Sequence, residues 1–147
     1  MTAEGIALAL HEFSGNESGF ALSQGDQRII GVNTATAYSR QRFTIAHELG
    51  HILLHHKPLI VDHSILLSKR DDISSLGTDQ EEIEANGFAA ALLMPDILVR
   101  QELERATRQD NSLPAQRYVV NLARTFKVSS QAMAYRLVNL NLITGWV

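Results

Sequence analysis

The stretch "RFTIAHELGHILLHH", residues 42–56, carries four of the six histidines of the chain. Two of them, His47 and His51, lie four residues apart, and Glu48 directly follows the first. Apolar residues recur at roughly helical spacing, so the pattern predicts a helix from about residue 41 to 56 that Pro58 ends. Because residues four apart lie one above the other on a helix face, both imidazoles can reach a single ion.

This arrangement is the H-E-x-x-H motif of metallopeptidases, in which the glutamate acts as general base on a metal-bound water. Zinc lowers the pKa of such a water to about 7, so that it can attack an amide carbonyl at neutral pH. The carboxylate removes the proton and delivers it to the leaving nitrogen. Three fixed residues also occur together by chance, and an exposed polar helix face is the alternative explanation.

A catalytic zinc needs a third protein ligand and one open position. In the extended motif H-E-x-x-H-x-x-G-x-x-H, a glycine and a histidine would stand where this chain has Leu54 and Lys57. That class of metallopeptidase is therefore excluded, and the third ligand has to come from another element.

A second stretch, "EEIEANGFAA" at residues 81–90, offers a carboxylate for this role. Glu82 and Asn86 are four apart on one helix face, so Glu82 can complete the coordination while Asn86 accepts the N–H of one of the two motif histidines. Glu81 and Glu84 are competing carboxylates, and spacing alone gives Glu82 only a modest preference over them.

Composition limits the kind of metal site and of protein. The 147 residues predict one domain, residues 1–147. With no cysteine, a metal site must use His, Asp and Glu, a set that suits Zn²⁺ among other ions. The net charge of −3 disfavours a broad nucleic-acid surface. Neither a secretory signal nor a membrane-spanning run is seen, so we expect a cytoplasmic protein without a membrane partner.

The order of elements predicts an α+β fold. Residues 1–40 read mainly as strands of a small N-terminal antiparallel sheet, with a hairpin turn at Gly25-Asp26. Residues 41–95 hold the metal-binding helices, the second beginning near residue 79 or 80 with an acidic first turn and ending at Met94. The remaining expected elements are a candidate strand within 59–68 and helices at 96–109, 114–126 and 129–140.

Residues 122–137, "LARTFKVSSQAMAYRL", have the pattern of a helix-turn-helix around "KVS". The second helix of this pair offers Gln131, Tyr135 and Arg136 but little positive charge, whereas phosphate contact normally requires more Lys and Arg. We therefore favour a helical hairpin that packs against the peptidase core, or helps to hold a protein substrate, over direct DNA binding.

Together, "RQRFTIAHELGHILLHH" and "EEIEANGFAAALLMP" closely resemble the ImmA/IrrE family of bacterial and phage metallopeptidases, and the resemblance extends over residues 25–143. It implies a zincin-like minimal peptidase whose zinc ligands match His47, His51 and Glu82 and whose catalytic glutamate matches Glu48. Members are associated with cleaving or inactivating helix-turn-helix repressors. Many are larger multidomain proteins, so this chain is expected to be a compact catalytic unit.

The function predicted from the sequence is an intracellular zinc endopeptidase that cleaves a helix-turn-helix repressor or an antitoxin. The alternative is a non-catalytic regulatory module of the toxin–antitoxin type. It would bind a repressor partner or DNA and carry a structural or vestigial zinc site. The intact Glu48 beside both histidines favours the enzyme, since a structural site has no use for a general base.

Overall fold

The computed structural model describes residues 2–3, 5–55, 59–63 and 75–144. The chain divides into two compact units, residues 1–89 and 90–147. The described elements, in chain order, are β1 (Thr2–Ala3), β2 (Ile6–His11), β3 (Glu17–Gln24), β4 (Gln27–Asn33), α1 (Tyr38–Leu54), β5 (Leu59–His63), α2 (Ser75–Leu93), α3 (Asp96–Gln109), α4 (Ala115–Phe126) and α5 (Ser130–Asn139). The predicted α+β class is confirmed.

The strands of the first unit form one sheet in the order β1-β2-β4-β3-β5. The predicted hairpin is present, with Gln24 opposite Gln27 and Gly25 at a φ of +58° that favours glycine. The expectation of a purely antiparallel sheet is wrong in one place, because β2 pairs with β4 in parallel. The β3–β4 hairpin places β4, rather than β3, beside β2. Because β2 and β4 both run opposite to β3, they run in the same direction as each other.

Helix α1 packs on one face of this sheet. The buried core between them consists of Ile6, Ala21, Ile30, Val32 and Ile52. The helix approaches closely at Gly19, where an added Cβ would lie 2.5 Å from the Thr44 methyl carbon. On the opposite face of the sheet, the Phe20 ring covers Gly31. These contacts hold α1 against rigid strands, and α1 carries the H-E-x-x-H motif.

The boundaries of the two metal-binding helices differ modestly from those predicted. Helix α1 begins at Tyr38, three residues before the predicted start, and ends at Leu54 with His55 as its C-cap. Helix α2 begins at Ser75, four or five residues before the predicted start, so the acidic residues expected in its first turn lie further along the helix. The sequence just before residue 80 is polar and contains a glycine, a pattern that favours a loop over a helix.

The second unit is a helical bundle with its own core. Buried side chains from all of its elements form that core: Met94, Val99, Val119, Leu122, Ala123, Val128, Met133, Ala134 and Leu137. A three-residue turn joins α4 to α5, with Lys127 in the left-handed conformation (φ 56°) and the Ser129 hydroxyl accepting the N–H of Ala132. The predicted helix-turn-helix hairpin is therefore present.

Among the described helices, none combines the length and the apolar character needed to span a membrane.

Candidate metal centre

Three side chains from α1 and α2 converge on one point in the first unit. The Nε2 atoms of His47 and His51 are 3.1 Å apart. Glu82 lies against both, with Oε2 3.0 Å from His47 Nε2 and Oε1 2.7 Å from His51 Nε2. The structure thus brings the three predicted ligands together, with one donor atom from each lying within 4.8 Å of the others.

The positions of the two histidines on α1 and of Glu82 on α2 are enough to bring these side chains together without an ion. The two imidazole rings are one turn apart on α1, with centroids 4.7 Å apart and planes at 82°, so both direct Nε2 toward Glu82. His47 and His51 are only 3% and 1% exposed, whereas the Glu82 side chain is 26% exposed. Solvent reaches the cluster mainly at the carboxylate.

The donor set fits a zinc ion. Two nitrogens and a carboxylate oxygen are ligands that Zn²⁺ takes in catalytic sites, and tetrahedral ligand atoms about 2 Å from the metal lie roughly 3.3 Å from one another. The observed separations of 2.7 to 3.1 Å need to open by only a few tenths of an ångström. The three protein donors also leave a fourth position for water or substrate.

Electrostatics keep the Glu82 carboxylate ionised. Burial raises its pKa, but hydrogen bonds from His47 and His51, followed by the charges of these rings, outweigh burial and lower the pKa from 4.5 to about 2. A carboxylate that remains anionic through the neutral range is the form that coordinates a cation, so proton release from Glu82 does not limit metal binding near pH 7.

Asn86 lies one turn beyond Glu82 on α2, and its Oδ1 is 2.8 Å from His47 Nδ1. A carbonyl oxygen can only accept, so His47 donates from Nδ1 to Asn86, and its Nε2, which faces Glu82, is the nitrogen that would bind an ion in place of a proton. The sequence did not decide which of the two motif histidines Asn86 binds, and in the structure Asn86 binds His47. No hydrogen bond to His51 Nδ1 is found within the described part of the chain.

We predict that Asn86→Ala weakens zinc binding by about tenfold, because partners that orient a metal-binding histidine contribute 10- to 100-fold to affinity and Asn86 lies near solvent. Zinc affinity measured by chelator competition tests this. Asn86→Asp keeps an acceptor oxygen and should retain the affinity. Equal affinities for the wild type and Asn86→Ala would contradict the orienting role.

Glu48 is fully buried, with 0% of its surface exposed. It follows His47 on α1 and therefore projects roughly 100° around the helix axis from that ligand. Glutamate is almost never fully buried unless its charge is compensated. Its burial next to His47, on a helix held against the sheet, distinguishes this residue from a solvated polar helix face, the alternative explanation for the motif.

The competing side chains lie outside the three-residue cluster. Gln80 Nε2 donates a hydrogen bond to Glu84 Oε1 at 3.0 Å, and Glu84 Oε2 lies 3.6 Å from His55 Nε2. Glu81 is half-buried. The His55 ring centroid is 5.7 Å from that of His51. His55 therefore adjoins the cluster without joining it, because the next turn of α1 carries it past the point where the donors meet.

Sequence reasoning did not identify one neighbour of the cluster. The Phe43 ring stacks on His47, with centroids 6.4 Å apart and planes at 25°. In the sequence, Phe43 is one of the apolar residues that recur at helical spacing in the motif helix. The i, i+4 spacing from His47 is the signal that could have revealed this contact, since such pairs meet on a helix surface.

Several known proteins are similar to this chain in sequence. The Peptidase M78 family model, described as the IrrE N-terminal-like domain, matches residues 4–138. The chain is 33% identical to the "Radiation response metalloprotease IrrE" of Deinococcus radiodurans over 113 residues, which are 76% of the chain. Over the same length it is 34% identical to the protein of that name from Deinococcus deserti. These matches cover 31% and 36% of the two relatives, so the chain spans about a third of their length.

A third relative comes from a virus. The chain is 32% identical over 83 residues, 56% of the chain and 48% of the relative, to "Uncharacterized immunity region protein 2" of Bacillus phage phi105. The family model covers most of the chain, including both helices of the His-His-Glu cluster. The chain therefore belongs to the ImmA/IrrE metallopeptidase family, with an IrrE N-terminal-like domain.

Proposed function

We propose that this protein is a zinc-dependent endopeptidase. The observation that carries the proposal is the convergence of His47, His51 and Glu82 donor atoms beside a fully buried Glu48. Two nitrogens and one oxygen without cysteine suit zinc, and a cluster with three protein donors retains the open position that hydrolysis requires. The family to which the chain belongs supports the same assignment.

Each residue has a separate role in the proposed reaction. His47, His51 and Glu82 would hold the ion, which when bound acidifies water and polarises the scissile carbonyl. Asn86 keeps His47 in the tautomer that presents Nε2. Glu48 takes the proton of the attacking water and passes it to the leaving amide nitrogen, so that the new amine departs neutral. The burial of both histidines keeps competing solvent away from their nitrogens.

The proposed substrate is a protein, namely a helix-turn-helix repressor or an antitoxin. The resemblance to the ImmA/IrrE family supports this substrate class, and the phage relative is named for an immunity region, a setting in which a repressor is an expected target. Because such a repressor acts on DNA inside the cell, the proposed place of action is the cytoplasm.

The test is a cleavage assay with purified, zinc-loaded protein and a helix-turn-helix repressor encoded by an adjacent gene of the same genome. We expect two fragments, no cleavage after zinc is chelated, and recovery when zinc is added back. An intact repressor after prolonged incubation with the zinc-loaded protein would refute the proposed substrate. Fragments that persist after complete chelation would refute a metal-dependent reaction.

A second candidate is a non-catalytic regulator that binds DNA or a repressor, with the metal site serving a structural purpose. Residues 90–147 contain seven Arg and Lys against four acidic residues, a net charge of +3 in a chain whose total is −3. The hairpin of α4 and α5 also exposes Gln131 and Tyr135. Salt-dependent binding to duplex DNA without repressor cleavage would favour this candidate over the enzyme.

A further inference from the structure

Gly50 is buried in the interior of α1, between the two histidines of the motif. Apart from proline, glycine is the poorest helix former, and alanine is the best. Its φ is not positive, so no special backbone conformation requires glycine here. Neighbouring residues must therefore account for the presence of glycine at this position.

The explanation is the close approach of α2. A Cβ added at Gly50 would lie 3.1 Å from Phe88 Cδ1, 3.2 Å from Ala85 Cα and 3.2 Å from Phe88 Cβ. Such contacts are tighter than nine in ten that real Cβ atoms make. Two of these atoms are attached rigidly to the α2 backbone, so a change of side-chain rotamer cannot relieve them. Only a shift of the two helices relative to each other can do so.

This helix contact lies directly beneath the metal centre. Gly50 comes three residues after His47 and one before His51, and Ala85 comes three residues after Glu82 and one before Asn86. Ala85 is fully buried, and its Cα lies at the point where α2 comes closest to Gly50 together with Phe88. A shift of α2 by a few tenths of an ångström would move Glu82 and Asn86 together relative to the histidines.

We propose that Gly50 is a positioning residue of the metal centre, because it sets the separation of α1 and α2 at which Glu82 meets both histidines. The inference rests on the proposed zinc site and adds a residue that does not touch the ion. Ligand distances in metal sites tolerate only about 0.2 Å. A methyl group at residue 50 therefore disturbs coordination although every ligand is still present.

The test compares Gly50→Ala with Gly87→Ala. Both introduce alanine into a helix, but a Cβ at Gly87 meets nothing within 4 Å, which makes it the matched control. We expect Gly50→Ala to weaken zinc binding by about 10- to 100-fold, the range seen when groups around a metal site are disturbed. The visible spectrum of the Co²⁺-loaded protein should change as well, and Gly87→Ala should match the wild type in both measurements.

Two further outcomes distinguish failure of the proposed role of Gly50 from failure of the proposed metal site. Wild-type protein that binds no zinc refutes the metal site itself, whereas equal zinc affinity of Gly50→Ala and Gly87→Ala refutes only the role of Gly50. A merely structural glycine would lower the melting temperature of the metal-free protein and leave zinc affinity unchanged.

If Gly50→Ala does not fold, the double variant with Phe88→Ala is measured, since it removes the contact with Cδ1. Recovered folding with weakened zinc binding supports the proposal. A double variant that folds and binds zinc as tightly as the wild type overturns it, because the close approach of α2 at residue 50 then does not set the zinc affinity.

Discussion

Glu48→Gln should keep zinc at the wild-type level and lose cleavage activity by about 10²- to 10⁴-fold, the contribution of a positioned general base. Glutamine has nearly the same shape as glutamate, but its neutral amide cannot take a proton from water. The three proposed ligands are unchanged, so the metal content of the purified variant should equal that of the wild type. Initial cleavage rates and zinc analysis of the same preparation provide both measurements.

The control for this variant is Glu81→Gln, which makes the same chemical change at a half-buried carboxylate outside the cluster. It should retain both zinc and activity. Because Glu48 is fully buried, the thermal unfolding of both variants has to be recorded, so that loss of activity is not mistaken for loss of fold. A Glu48→Gln protein that is folded, zinc-loaded and still active would contradict the proposed base.

His51→Ala should abolish zinc binding. The variant removes the nitrogen that lies 2.7 Å from Glu82 Oε1 and leaves a two-donor cluster. Loss of a partner behind a ligand already costs 10- to 100-fold in affinity, so loss of a ligand should cost more than about 100-fold. The zinc content after gel filtration should fall from one per chain to nearly none, and added zinc should no longer raise the unfolding temperature.

His55→Ala is the matched control, since His55 lies one turn further along the same helix and outside the cluster. It should retain its zinc. Unchanged zinc in His51→Ala would reject His51 as a ligand. Loss of zinc in His55→Ala but not in His51→Ala would move the site one turn along α1.

The sequence indicates which side chains of the candidate site lie close together because the geometry of the site is largely local. His47 and His51 are on one helix, and so are Glu82 and Asn86, and the i, i+4 rule places each pair on one face without knowledge of the fold. Spacing left Glu81 and Glu84 as alternatives to Glu82. The family resemblance favoured Glu82, and the structure shows that this carboxylate meets both histidines.

Tertiary contacts account for what the sequence did not predict. The parallel pairing of β2 with β4 depends on which strand the hairpin places alongside β2, and the apolar pattern of "IALALHEF" fits either direction. The role of Gly50 was not foreseen, because it depends on Ala85 and Phe88, more than thirty residues away in the sequence. The spacing of residues along the sequence does not determine how far apart two helices lie in the fold.

The strand order has a consequence for how the polypeptide acquires its shape. The β3–β4 hairpin closes through two residues, and α1 follows after a short connection, so this segment can organise early from local contacts. Residues 17–54 contain both histidines and Glu48 but no part of α2. In a chain emerging from the ribosome, His47, Glu48 and His51 are therefore present before Glu82 has been synthesised, and the set of proposed zinc ligands becomes complete only when α2 docks.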